Sequence, residues 1–229
     1  SDIWASDQSV VKIIGQNQQD LYEVFYSNSQ EIQDHFMELE LARLKVSLLK
    51  NKNDQIRNEL LKTHNLSILV PKNMQLSINN DSVAILERRR LVSEKQQSAG
   101  DVQEFILIYH YPYTSKDQLT KKYLLKKRDT IVKTFFKGKT EGSYMTTTPE
   151  SLAPSFEKER LFKGTYAFEI RGLYSMVNSF RGGPFVNITL VDEARNRVIT
   201  MEAHVFAPKF DKRSYMMYLE TMLNTLSLE

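Results

Sequence analysis

The chain contains no cysteine, which removes thiolate catalysis, disulfide frameworks, iron–sulfur clusters and cysteine-based zinc sites. Glycine and proline are scarce, at 8 and 6 among 229 residues, so the chain is neither collagenous nor of low complexity. No apolar run approaches the roughly 20 residues that a membrane-spanning helix needs. The longest, such as Phe105–Tyr109, are strand-sized. The four histidines (His35, His64, His110, His204) are scattered without HxH or HExxH spacing, and neither a metal site nor a cofactor is expected from them. Ser143 lacks the G-x-S-x-G elbow, and neither a P-loop nor a G-x-G-x-x-G string is present.

What remains is an ordinary globular composition, 41% apolar and 26% charged. A chain of this length buries about 70% of its unfolded surface, enough for a core without staples. The net charge of +3 is unevenly spread. Nine basic residues against two acidic ones place +7 between Lys116 and Lys139, leaving −4 elsewhere.

Periodicity orders the rest. Val10–Ile14 reads as a short strand ending at Gly15. Helical spacing then predicts helices over about 18–27, 30–50 and 54–64, the first capped by Asn17. Leu66–Val70, Val83–Arg89 and Phe105–Tyr109 read as strands, with a polar loop over 93–101. A helix over 119–136 follows, then a long connection over 138–154. Two hairpins pair Phe156–Phe162 with Thr165–Tyr174, and Phe185–Val191 with Val198–Phe206. Gly182-Gly183-Pro184 reads as a turn with positive φ at a glycine. A last helix over 213–226 gathers Tyr215, Leu219, Met222, Leu223 and Leu226 on one stripe, with Tyr218 off it.

Strand, proline, charged loop and amphipathic helix recur at 109–123 and 205–215, which lays two helices against one mainly antiparallel sheet. The expected class is α+β, with an N-terminal strand and helical segment over 1–65 before a sandwich domain over 66–229, or one continuous domain. From Leu66 onward the element order is similar to the Mog1/PsbP-like fold, which implies no function by itself.

Two constellations carry possible chemistry. On the basic helix, Lys122, Lys126, Lys133 and Lys137 lie opposite an apolar arc. That is a solvated face first and a phosphate-contacting surface second, and no nucleic-acid motif accompanies it. Arg88-Arg89-Arg90 could extend the patch, although strand alternation points Arg89 away from the other two. The second constellation is Glu169, Arg171, Tyr174 and Arg181 with Tyr144, where arginines suited to bidentate anion binding flank glycine-rich turns. Its bland reading is a structural Glu169–Arg171 pair on one strand face.

Several strings together, Trp4, Glu141-Gly142-Ser143-Tyr144-Met145-Thr146-Thr147, Glu169-Ile170-Arg171-Gly172-Leu173-Tyr174, Gly182-Gly183-Pro184-Phe185 and Arg197-Val198-Ile199-Thr200, resemble a bacterial family known as domain of unknown function 4837. The resemblance spans essentially the whole chain, with Tyr174 where many members would carry Trp. It implies export and a lipid anchor, with signal peptide and acylated Cys preceding Ser1, and it carries no catalytic residue. The expectation is therefore a non-catalytic, lipid-anchored envelope protein that contacts a protein, glycan or small ligand. The alternative is an enzyme holding an anionic substrate between Arg171 and Arg181, which requires one deep pocket joining them to Tyr144 and Glu169.

Overall fold

The computed structural model describes residues 8–93 and 99–229, so Trp4 and most of the expected 93–101 loop lie outside the described residues. Two compact units divide the chain, one ending at Ser47 and the other spanning Leu48–Glu229. In the first, α1 (Gln18–Ser27) starts where the Asn17 side chain accepts the Asp20 N–H at 3.0 Å. Asn28 closes it by returning both its main-chain and side-chain N–H groups to Val24 O, and α2 (Ser29–Lys50) begins at once. The strand expected at Val10–Ile14 does not form. A strand requires a partner, and the described residues of this unit offer only helices.

The expected division after residue 65 falls instead between 47 and 48. The cause is burial: Leu48 at the end of α2, with Ile56 and Leu60 of α3 (Asp54–His64), sits in the core of the second unit. Asn53 caps α3 by accepting the N–H groups of Gln55 and Ile56, and Asn65 ends it in the left-handed conformation at φ 52°.

An eight-stranded antiparallel sheet follows, built from β2 (Gln75–Asn79), β3 (Val83–Val92), β4 (Gly100–Pro112), β5 (Met145–Thr147), β6 (Phe156–Phe162), β7 (Thr165–Met176), β8 (Gly182–Asp192) and β9 (Arg197–Phe206). Its order is β2-β3-β4-β9-β8-β7-β5, with β6 also pairing β7. A separate two-stranded pair joins β1 (Leu66–Ser67) to β10 (Ser227–Leu228). The helices α4 (Lys121–Phe135) and α5 (Arg213–Leu223) complete an α+β sandwich.

Strand β9 shows how the layers arise. Ile199, Met201, Ala203 and Val205 face one side, where α3 and α5 pack in a mainly apolar layer. Val198, Thr200, Glu202 and His204 face the other, under α4. The two strand–proline–helix units thus lie on neighbouring strands, β4 and β9, and send their helices to opposite faces. Gly182-Gly183-Pro184 is not a positive-φ turn but the start of β8; the positive-φ glycines are Gly142 and Gly164. Gly183 is required for close approach instead, since a Cβ there would sit 2.0 Å from Val205 O.

Candidate functional site

Beneath α4 lies a polar layer that alternation alone would assign to solvent. Arg128, fully buried, forks onto Glu202 with Nε–Oε2 at 2.7 Å and Nη2–Oε1 at 2.8 Å, and its guanidinium lies 4.0 Å from the Phe185 ring centre. Asn187 donates to the same carboxylate at 3.3 Å. Asp129, next on α4, accepts the N–H and hydroxyl of Thr147 at 2.8 and 2.7 Å and so ties β5 to the helix. Burial pushes the Glu202 carboxyl up, but the Arg128 charge and the neighbouring His204 outweigh it and hold the group down at about 2.

His204, also fully buried, is boxed by aromatic rings. It stacks on Phe105 at 5.0 Å between centroids and meets the edges of Phe136 and Tyr174 at 4.7 and 5.4 Å. Its Nδ1 is 3.3 Å from Glu202 Oε1, near enough for charge attraction, yet neither ring nitrogen makes an aligned hydrogen bond. Burial lowers its basicity more than Glu202 raises it.

These two groups give a pH dependence whose sign is fixed. The unfolded chain binds a proton at each ordinary value while the folded chain resists, so stability falls with acid, first below about pH 6.5 and again below about pH 4.5. Urea midpoints should drop between about pH 7 and pH 5 in the parent and stay flatter there in His204→Phe. Equal slopes in the two proteins would remove His204 from this account.

Above that box opens a cavity of about 340 Å³. Its floor is Phe105, Phe136, Tyr174, Met145 and Met176, the first three being the rings that enclose His204. Its rim is charged, with Arg89 and Glu87 from β3, Arg181 beside β8, and Lys137 and Lys139 past the end of α4. Arg89 binds Glu87 at 2.8 Å. Arg181 donates to Gln103 at 2.7 Å and lies over the Phe206 ring. Among the described residues neither Lys137 nor Lys139 has an ion-pair partner. A narrow hairpin presents these lysines: Met145 N–H donates to Phe136 O and Gly138 N–H to Ser143 O, both at 2.9 Å. Only glycine fits at 138, because a Cβ would lie 2.1 Å from Ser143 Oγ.

The residues nominated from sequence separate. Glu169 and Arg171 face α5, where Arg171 binds Glu169 at 2.6 Å and grips Glu220 at 2.7 and 2.9 Å, while Arg160 takes the other Glu169 oxygen. The Glu220 hydrogen bonds, opposed by desolvation, raise the Arg171 pKa further. That pair is structural. Tyr174 and Arg181 face the opposite side and border the cavity; the Tyr174 hydroxyl donates to Val205 O at 3.1 Å and is buried enough to be held well above its ordinary pKa. Tyr144 lies outside the cavity lining, with Lys133 Nζ 4.4 Å from its ring centre. Arg171 and Arg181 thus face opposite sides of the sheet, which is not the single pocket the anionic-substrate enzyme reading requires.

Of the basic face, Lys122 and Lys126 stand exposed on α4, whereas Lys137 serves the cavity rim. Arg128, which adds to the basic count of this segment, is its buried core. Arg88 and Arg90 both reach Glu104 on one face of β3 while Arg89 turns to the cavity on the other, as strand alternation requires.

Fold and site together define an α+β protein with an antiparallel sheet between two helical layers and a cation-rimmed, aromatic-floored cavity on one side. The chain belongs to the family described as Domain of unknown function (DUF4837), whose model matches residues 53–225. Among solved structures it is similar to a point mutant of the protein Mog1, at 11% identity and TM-score 0.40 over 72% of this chain and 90% of that one. It is also similar to the Ran-binding protein Mog1p of Saccharomyces cerevisiae, at 10% identity with the same coverage and TM-score. No curated protein matches it in sequence.

Proposed function

We propose that this protein is a non-catalytic binding module whose cavity takes a small anion with a flat apolar body. The observation that carries this reading is the pairing of four rim cations, three of them without a carboxylate partner among the described residues, with a floor of aromatic rings and methionine. Cations attract the anionic end, and rings stack on the apolar end. The volume lies at the small end of the roughly 300–1,000 Å³ typical of ligand pockets. The polar groups that face it hold a ligand rather than transform it: Glu87 is occupied by Arg89, and Gln103 by Arg181 and Asp101.

Anilinonaphthalene sulfonate, an aromatic anion, is a suitable probe. Saturable binding at one site is expected, weakened about tenfold or more when Lys137→Glu and Lys139→Glu are combined, because two nearby attractions become repulsions. Both lysines are exposed, so the variant's thermal melt serves as the check that it stays folded. Unchanged affinity in that variant would place the probe elsewhere and end this reading.

We also propose that the module is held at the cell envelope by a lipid attached upstream of Ser1. The support is the family resemblance. The complete gene tests it: an apolar leader followed by a lipid-acceptor Cys, and radiolabelled palmitate incorporated into the expressed protein, are expected. A gene without that Cys removes the anchor.

A further inference from the structure

On the sheet face away from α4, and further along β4 than the cavity, two histidines meet. His64, the last residue of α3, is fully buried; His110 of β4 keeps part of its ring at the surface. His64 Nδ1 and His110 Nε2 are 3.3 Å apart, with the rings nearly perpendicular at 76°. His64 Nε2 lies 2.8 Å from Asn79 Oδ1, and the same amide donates to Thr63 Oγ1 at 3.2 Å. The amide oxygen can only accept, so Nε2 carries the proton and the Nδ1 lone pair is left bare, aimed at His110. The main chain is pinned as well, by Arg197 Nη2 donating to His64 O at 2.6 Å.

We propose that His64 Nδ1 and His110 Nε2 are two ligands of a tetrahedral zinc ion, with Asn79 as the positioning residue that fixes the His64 tautomer. The separation carries the argument. Zinc–nitrogen bonds of about 2.0–2.1 Å meeting at a tetrahedral angle place the two nitrogens about 3.3–3.4 Å apart, which is the spacing present here, whereas a right-angled site would bring them to about 2.9 Å. A ligating imidazole whose other N–H is held by an oxygen acceptor is the usual outer-shell arrangement of such sites. In the metal-free chain the His110 Nε2–H donates to His64 Nδ1; on binding, His110 shifts to its Nδ1–H tautomer, held by the Asp81 backbone, so that its Nε2 lone pair reaches the ion and neither imidazole loses its proton. Burial, and then the Arg197 charge, lower the basicity of His110 to about 4 and act in the same direction on His64, so both rings are free bases in neutral solution. Arg197 is itself neutralised by Asp192 at 2.9 Å. No third His, Asp or Glu joins the pair among the described residues, so the remaining positions fall to water or to an exogenous ligand. This site is independent of the anion cavity.

Titration of the full chain with Co²⁺, followed by its visible absorption and by displacement with Zn²⁺, tests the assignment. Expected are the intense bands of tetrahedral cobalt at one equivalent, their loss on adding Zn²⁺, and a thermal midpoint raised by about 5–10 °C when Zn²⁺ is at a hundredfold its dissociation constant. His110→Gln should abolish the bands, and Asn79→Ala should weaken binding about 10–100-fold. His35→Gln should leave the bands unchanged, since that residue lies in the other compact unit. Absence of tetrahedral bands in the parent chain, or bands that persist in His110→Gln, would overturn the proposal and leave the pair as a neutral hydrogen bond.

Discussion

A chain ending before Arg213 is expected to lose cooperative folding altogether. The missing segment carries Leu219, Met222 and Leu223, each fully buried, and Leu226 at 1% exposure. Burying four such side chains contributes roughly 6–12 kcal/mol gross, comparable with the 5–15 kcal/mol net stability of a typical domain. Polar anchors go with them: Glu220 on Arg171, the Thr225 hydroxyl on Leu69 N–H, and the Leu226 carbonyl on Lys163. Strand β1 also loses its partner β10. Leu223→Ala in the intact chain should cost about 2–5 kcal/mol. Tyr218→Ala should cost less, though more than its place off the stripe suggests, because the ring packs against the core and lies 4.8 Å from the Arg88 guanidinium. Circular dichroism melting decides the matter. A truncated chain that melts cooperatively would make α5 peripheral and dismantle the two-sided sandwich.

The second large effect is expected at the buried ion pair. Replacing Arg128 alone by Met leaves the Glu202 carboxylate in the interior with only Asn187 and the unaligned His204 beside it, and should cost about 3–5 kcal/mol at neutral pH. The pH profile should change as well. With its cation gone, burial dominates and raises the Glu202 pKa, so the folded state of the variant takes up the proton before the unfolded chain does. Its stability then rises as acid protonates Glu202, where the parent loses stability over the same step. Combining Arg128→Met with Glu202→Leu should recover most of the loss, since well-packed apolar replacements of buried pairs are often neutral or stabilising. Urea unfolding at neutral and mildly acidic pH reports both effects. A single variant within ~1 kcal/mol of the parent would show that water or backbone dipoles, not Arg128, balance Glu202.

α1 to α3, the two late hairpins and the stripe of α5 were readable from spacing, although α1 buries no residue and α2 only Leu48. The short strands were not. β5 holds three residues and β10 two, too few for any period to show; β5 exists because long β7 offers it a ladder, and β10 because equally short β1 lies across from it. β2 alternates between exposed and half-buried residues at the sheet edge and carries little apolar signal. The candidate site was harder still. Tyr174 and Arg181 were found because aromatic and arginine residues gather there, but Phe105 comes from β4 and Phe136 and Lys139 from the end of α4, two stretches distant from each other and from 174–181. Glu202 and His204 alternate with apolar residues in β9, the pattern of a strand with one wet face. Only the central position of β9, and a helix bearing an inward Arg128, turn that face into an interior. Arg128 itself hides among eight other basic residues, where nothing in the local sequence separates it from its solvated neighbours.

The position of β9 also dictates when the sheet can exist. One half of the sheet, β2-β3-β4, and the other, β8-β7-β6-β5, touch only through β9, which is the last of these strands in the chain. During synthesis from the N-terminus the early half must wait as an open edge at β4, with Phe105, Leu107 and Tyr109 uncovered, while nearly a hundred further residues are added. The late half waits only briefly, because β8 ends at Asp192 and its hairpin partner β9 begins at Arg197. Closure comes when residues 197–206 leave the ribosome and join both edges, so the wall of the cavity, contributed by Phe105, Tyr174 and Phe206 together, is assembled in a single late step. A nascent chain of this protein therefore carries the exposed β4 edge while nearly a hundred residues are added, which makes it a natural client for factors that shield such edges on the ribosome.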